Sequence, residues 1–141
     1  MEELLELKEL VKERRYEEAL ALIEDIEEMS KEDKLNKIDS FAVILMVHLI
    51  KQNLENRTTR SWSLSINNAL REIGKLNKRR KFGGYYADDS EIIEILNEAY
   101  PAAIQRASLE VFEGRYDEDE LSKMLDKDEI IHKAFDLIKN D

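Results

Sequence analysis

The sequence predicts an all-α protein, a compact helical bundle of five to seven helices. Its 141 residues include only four Gly and one Pro, and the abundant Leu, Glu, Lys and Ala favour helix. Apolar residues recur three and four positions apart, and no sustained apolar–polar alternation or Asn-Gly or Asp-Gly hairpin signal indicates a strand. We expect a single domain, 1–141, which buries roughly two-thirds of the surface exposed by the unfolded chain.

Two short amphipathic helices are predicted at the N-terminus, and they meet near Arg15 and Tyr16. Their apolar positions are Leu4, Leu5, Leu7, Leu10, Val11, Ala19, Leu20, Leu22, Ile23, Ile26 and Met29. Ser30 and Asp33 then resemble a capping box, which predicts a third helix at about 31–52.

This third helix is the most apolar segment of the chain. Between Phe41 and Ile50 it reads "FAVILMVHLI" and is apolar on nearly all sides. A helix of this kind is central in the bundle or buries its second face against another subunit. Ten residues are too few to span a bilayer, which takes about 20, so we expect no membrane association.

The C-terminal half predicts further helices from its cap and stop residues. A fourth helix follows the linker "LENRTTR", with Ser61 as its cap, and ends near the paired glycines of "KFGG". The acids and serine of "ADDS" cap a fifth, running from Glu91 to about Glu113, and Pro101 predicts a kink or a break in it at Tyr100. Asp117, and either Asp126 or Asp128, are the expected caps of the remaining helical segments.

The charges are unevenly placed along this acidic chain. Residues 57–81 carry eight Lys or Arg and one acid, Glu72, within a net charge of −10. On a helical wheel, one face of this segment is apolar, and we expect it to be buried: Trp62, Ile66, Ala69, Leu70, Ile73 and Leu76. The predicted interaction surface consists of the cations Arg57, Arg60, Arg71, Lys75, Lys78 and Arg79.

Three roles for this cationic surface remain open. It is a solvated helix face paired with neighbouring acids, or it docks an acidic protein partner or the acidic stripe of a second copy. The third role is binding of nucleic acid or another polyanion, which the overall negative charge opposes.

Residues suited to catalysis are sparse. The chain has two histidines and no cysteine. Glu129 and His132 form half of a helical di-iron motif, which needs two such steps and two further Glu residues. His48 lies at the edge of an apolar stripe, where a histidine usually donates to a carbonyl or side chain. Since phosphate-binding loop motifs are also absent, we predict no catalytic, cofactor-binding or metal-binding residue and expect no cofactor.

Two longer stretches carry a family resemblance. "LIEDIEEMSKEDKLNKIDSFAVILMVHLIK" and "RTTRSWSLSINNALREI" resemble the cyanobacterial family catalogued as domain of unknown function 29, with its acidic stretch, its apolar helix ending in "HL[IL]K" and its Arg-rich entry into "R-S-W-x-x-S-I". The resemblance implies an all-helical, cytoplasmic protein of unknown activity, and no catalytic residue transfers with it. The matching positions are Glu24, Glu27, His48, Lys51, Arg57, Arg60, Ser61, Trp62 and Ile66.

These matches lead to a structural and a functional hypothesis. If the third and fourth helices are antiparallel, His48, Lys51, Arg60 and Trp62 gather near one end of the bundle, with Trp62 buried. The function we expect is a non-enzymatic protein-protein interaction or self-association module. The alternative is nucleic-acid or polyanion binding through 57–81, and an uncharacterised enzyme is the third hypothesis.

Overall fold

Helices account for nearly all of the regular structure in the computed structural model, which describes residues 2–79 and 83–140. They are α1 (Glu2–Lys12), α2 (Tyr16–Glu55), α3 (Arg60–Asn77), α4 (Asp89–Ser108), a 3₁₀ turn (Val111–Gly114), α5 (Glu118–Met124) and α6 (Lys127–Asn140). No strand occurs among the described residues, which contain one isolated bridge between Lys78 and Tyr85. The predicted all-α class and the predicted number of helices are confirmed.

The second and third predicted helices are one continuous helix of 40 residues, α2. The start of a helix near residue 31 is therefore wrong. Ser30 lies inside α2 and is exposed, where an interior serine costs only about 0.5 kcal/mol relative to alanine. The surrounding Glu, Lys, Met and Leu residues are good helix formers, and their propensity outweighs the local cap signal.

The helix that contains Pro101 is also continuous. α4 runs through Pro101 from Asp89 to Ser108, so the break at Tyr100 is wrong, and the kink stays a prediction. Proline removes one backbone hydrogen bond, but Ala99, Tyr100 and Ala103 beside it are buried in the core. α4 ends at Ser108, before the predicted Glu113. In the 3₁₀ turn that follows, Phe112 and Glu113 have left-handed backbone angles, with φ of 50° and 58°.

Polar side chains cap the later helices largely as predicted, and Ser61 is a second predicted cap, after Ser30, that is not observed. Asp88 and Asp117 each form a full capping box, with Glu91 and Glu120 respectively. Asp126 accepts hydrogen bonds at the start of α6 from the N–H groups of residues 128 and 129. The predicted cap Ser61 is wrong: Thr59 has the extended backbone that a cap requires, and its Oγ1 accepts the N–H of Trp62 at 3.1 Å.

The chain divides into two compact units, residues 1–34 and 35–141. The first is a hairpin of α1 and the beginning of α2, which are joined through Arg14 at φ 60°. The two helices therefore meet near Arg15, as predicted. The second contains the hydrophobic core, in which the central stretch of α2 is buried together with residues of the later helices. There α4 contacts α5, α6 and the 3₁₀ turn, and α3 contacts α6. Within the described residues, no helix is both long and apolar enough to cross a membrane.

Gly74 lies inside α3 for no steric reason within the described structure. A Cβ built there meets no heavy atom within 4 Å, and glycine in a helix interior costs roughly 0.5–1 kcal/mol relative to alanine. We therefore expect Gly74→Ala to raise the free energy of unfolding by up to about 1 kcal/mol, measured by urea denaturation. The matched control is Gly114→Ala, which we expect to destabilise, because Gly114 has φ +76° and its Cβ would lie 3.2 Å from the carbonyl oxygen of Leu109.

Candidate functional site

A buried lysine lies near the C-terminal end of α2. Lys51 is only 6% exposed, and its ammonium is 4.6 Å from the centroid of the Trp62 ring and 3.5 Å from Glu110 Oε1. A buried charge is costly unless it is paired. The aromatic ring and the carboxylate, which come from two other parts of the chain, supply that pairing.

Trp62 also receives a second cation. The Arg57 guanidinium lies over the same ring, 4.7 Å from the centroid, and Arg57 Nε donates to Glu55 Oε1 at 2.9 Å. We call Lys51, Glu55, Arg57, Trp62 and Glu110 the Trp62 cluster. The indole is only half-buried and is already occupied by two cations, so it is poorly placed to stack on a nucleic-acid base.

Glu55 joins the Trp62 cluster to the 3₁₀ turn. Its Oε2 accepts the backbone N–H of Phe112 at 3.1 Å, and this hydrogen bond, followed by the bond from Arg57, lowers the pKa of Glu55. Phe112 and Glu113 both have left-handed backbone angles, which cost roughly 1–2 kcal/mol for each non-glycine residue. The carboxylate therefore holds a strained turn in place.

His48 lies one helical turn before Lys51 and is half-buried. Burial is the main cause that lowers its pKa, and the nearby positive charge of Lys51 acts in the same direction. Its Nδ1 atom is buried without a hydrogen-bond partner, so the expectation that His48 is satisfied by a carbonyl or side chain is wrong for this atom. The neutral imidazole is therefore favoured in the folded protein. Because the unfolded chain binds this proton near the ordinary pKa of 6.5 and the folded chain binds it only at lower pH, the stability of the fold decreases as the pH falls from 6.5 towards the lowered pKa.

The structure brings together only part of the predicted set. Lys51, Arg57 and Trp62 are in contact, and His48 is close enough for Lys51 and Glu110 to influence its pKa. Other family-matching positions lie outside the Trp62 cluster: Glu24, Glu27, Arg60 and Ser61 are exposed.

Sequence reasoning missed Glu55, Glu110 and the left-handed turn. Glu55 and Phe112 are 57 residues apart, and no local pattern connects them. Gly114 did signal the end of a helical pattern, but glycine alone did not reveal the two left-handed residues that precede it.

The predicted cationic surface of α3 is exposed. We call Arg60, Leu64, Arg71 and Lys75 the outer face of α3, since all four side chains are exposed and helical spacing places them on one side. Lys78 is also exposed, but it follows the helix with an extended backbone. Within the described residues, none of the four cations forms an ion pair, and Arg71 donates to Asn68 Oδ1 at 2.6 Å. Arg57 belongs instead to the Trp62 cluster.

The tail of this cationic surface is different. Arg79 is half-buried and lies over the ring of Tyr86 at 5.7 Å. Arg80 and Lys81 were also part of the basic segment, and they lie outside the described residues.

One side of the N-terminal hairpin is an acidic groove of about 500 Å³ between α1 and the beginning of α2. Its carboxylates are Glu6, Glu9, Glu13, Glu18 and Asp25. Arg15 also lines it and is paired with Glu13 and Glu18. On an ideal wheel of 100° per residue, the groove acids Glu6 and Glu9 fall on one side of α1, and the groove acids Glu18 and Asp25 fall on one side of α2.

The opposite side of the hairpin is apolar. On the same wheel, Leu4 and Val11 of α1 and Tyr16 and Leu20 of α2 fall away from the acidic groove, and all four are exposed. We call these four residues the apolar hairpin side. Leu5 and Met29 are exposed elsewhere on the unit, and the buried residues among described positions 2–34 are Leu10 and Ala19.

The other histidine lies in α6, and a larger groove lies beside Gly74. His132 is exposed, and its Nδ1 is 2.7 Å from the carbonyl oxygen of Asp128 in its own helix. A search of the described residues finds no group of three or more His, Asp or Glu placed to hold a metal ion. A groove of about 830 Å³ lies beside Gly74, and its polar groups Asn77, Asp88 and Asp89 already bind other parts of the chain.

Comparison with known proteins identifies a family. Residues 4–124 match the model of the family described as "Domain of unknown function DUF29". The match includes the hairpin and the Trp62 cluster and ends before α6. No curated protein and no solved structure matches the chain.

Proposed function

From the premise that this chain belongs to the family of domain of unknown function DUF29, we propose that it is a non-enzymatic helical module that self-associates through the apolar hairpin side. The observation that carries this proposal is the exposure of large apolar side chains on a unit with little core of its own. Leu20, for example, is 59% exposed. A helical hairpin with an exposed apolar side gains stability when that side is buried against another hairpin.

Charges beside the apolar hairpin side favour a second copy as the partner. On the wheel, Lys8 of α1 and Glu24 and Glu27 of α2 border it, and these three residues have no ion-pair partner within the described part of the chain. In a two-fold symmetric pair, each copy presents the same surface to the other, so a cation on α1 and acids on α2 can pair reciprocally. The acidic groove, which would repel its own copy, lies on the far side.

The size of this surface predicts a weak complex. A helix of 11 residues is about 16 Å long, and two adjacent helices are about 20 Å wide. The resulting area is well below the roughly 800 Å² per partner of a standard stable interface. We therefore expect a dimer that dissociates on dilution.

The surroundings of the histidines favour a non-enzymatic role. Within the part of the chain that the structure describes, Glu110 is the carboxylate that influences the pKa of His48, and it is already paired with Lys51. His132 Nδ1 is bonded within its own helix. A general base needs a substrate proton within hydrogen-bonding reach and a group that orients it. As part of the same proposal, and in line with the family resemblance, we place the protein in the cytoplasm of a cyanobacterial host.

The test uses Leu20→Glu in the full chain, with light scattering at rising protein concentration as the readout. We expect the wild type to approach twice the monomer mass, while Leu20→Glu remains a monomer because the new carboxylates would be buried next to Glu24 and Glu27. The matched control is Leu109→Glu, since Leu109 is 76% exposed and lies in the second unit. We expect this control to dimerise like the wild type.

Either of two results would contradict self-association through this side. One is a wild type that stays monomeric at every concentration, and the other is equal dimerisation of Leu20→Glu and Leu109→Glu. Far-UV circular dichroism of each variant verifies that the helices are retained.

A further inference from the structure

The outer face of α3 is a second exposed surface, and no acid within the described residues neutralises its cations. Arg60, Leu64, Arg71 and Lys75 are separated by four, seven and four residues, so they follow one line along the helix. From Arg60 to Lys75 this line is about 22 Å long at 1.5 Å per residue. Its three cations have no ion pair within the described residues, and Leu64 is 58% exposed among them.

We propose that the outer face of α3 docks an acidic amphipathic helix from a partner protein. A helix presents side chains with the same repeat as α3, so carboxylates spaced by four and seven residues can meet the line of cations. Leu64 supplies an apolar contact between Arg60 and Arg71. Arg71 and Lys75 are one turn apart and provide the densest pair of charges for recognition.

Three observations favour a protein helix over nucleic acid. The chain has a net charge of −10, which repels an extended polyanion along the length of the polyanion. A short acidic helix on the outer face of α3 is repelled less, because acids of the chain more than one Debye length away, about 8 Å, are screened from it. The Trp62 ring is occupied by Lys51 and Arg57, so it offers no stacking platform. An exposed leucine in the middle of the line suits an apolar side chain better than a phosphate backbone.

Fluorescence anisotropy with labelled synthetic probes tests the proposal on the full chain. The first probe is a Leu/Glu peptide of about 18 residues, long enough to cover α3, with its leucines on one helical face. The second has the same composition in scrambled order, and the third is a single-stranded oligothymidylate. Each is titrated at low and high salt, about 0.05 M and 0.5 M.

We expect the amphipathic peptide to bind at least about tenfold more tightly than the scrambled one, and its affinity to weaken at high salt. The double variant Arg71→Glu/Lys75→Glu should abolish that binding, and Leu64→Ser should weaken it. Lys133→Glu is the matched control, since Lys133 is also exposed, on α6, and it should bind like the wild type. Leu20→Glu should also bind normally, because it alters only the hairpin, so this result separates the present proposal from the proposed self-association.

Several outcomes would overturn the proposal. Equal binding of the amphipathic and scrambled peptides would reduce the interaction to general electrostatic attraction, and tighter binding of the oligothymidylate would identify a nucleic-acid surface. Peptide binding that survives Arg71→Glu/Lys75→Glu would place the site elsewhere. A dimer mass that falls to the monomer mass in that same variant would show that a second copy occupies the outer face.

Discussion

Replacing Trp62 by alanine should lower the free energy of unfolding by about 3 kcal/mol, measured by urea denaturation at neutral pH. Truncating a buried aromatic residue costs about 3–5 kcal/mol, and we take the lower end because the indole is half-buried. The same change removes the ring from beneath Lys51 and Arg57. Lys51 then remains buried with Glu110 as its only partner among the described contacts.

Trp62→Phe is the matched control for this prediction. Phenylalanine keeps an aromatic face for both cations and most of the apolar contact, so we expect a loss of about 1 kcal/mol. If Trp62→Ala unfolds at the same urea concentration as the wild type, the ring is not a structural anchor. If both variants lose the same stability, the interaction with the cations contributes nothing measurable.

Replacing Glu55 by alanine should cost about 2 kcal/mol of folding free energy. The change removes the acceptor of the Phe112 N–H, and a partly buried donor without a partner costs about 1–3 kcal/mol. Without this hydrogen bond, fewer interactions stabilise the left-handed backbone angles of Phe112 and Glu113. Thermal unfolding measures the stability, and hydrogen exchange at the Phe112 amide reports the turn directly. An unchanged exchange rate at Phe112 would contradict the role of Glu55.

Glu55→Gln is the control, because its amide oxygen still accepts the Phe112 N–H while its charge is lost. The pKa of Glu55 in the folded protein is below the ordinary value of 4.5, mainly through the Phe112 hydrogen bond. The carboxylate therefore contributes stability that is fully present above about pH 4.5 and is lost as the pH falls through the lowered value. We expect Glu55→Gln to remove that part of the acid dependence and to remain more stable than Glu55→Ala at neutral pH.

Local patterns in the sequence were sufficient for the helical class and for much of the burial. The three- and four-residue spacing in α3 correctly predicted which residues of that helix face the core, including Ile66, Ala69 and Ile73. Trp62, expected to be buried, is only half-buried. It lies in the first turn of α3, and its ring contacts the cations of Lys51 and Arg57. The caps Asp88 and Asp117 were predictable because a capping box involves residues only three positions apart.

Features that depend on distant residues could not be derived in this way. The predicted helix boundaries near Ser30 and Pro101 are wrong because a cap residue or a proline indicates only a local tendency to begin or end a helix. Near Ser30 the flanking helix formers outweigh that tendency, and near Pro101 the buried neighbours do. The family resemblance does indicate His48, Lys51, Arg57 and Trp62 from the sequence alone. It did not indicate the carboxylates that accompany them.

The sequence by itself determined the all-helical class, the apolar central stretch of α2 and the exposed cations of α3, because helix periodicity and charge are local properties of the chain. Only the tertiary structure decided that Lys51 is buried against Trp62 and Glu110 and that Glu55 holds the left-handed turn at Phe112. Each of these contacts joins groups that lie in different segments of the chain. Their free energy depends on distance, burial and hydrogen-bond geometry, which exist only once the helices have packed.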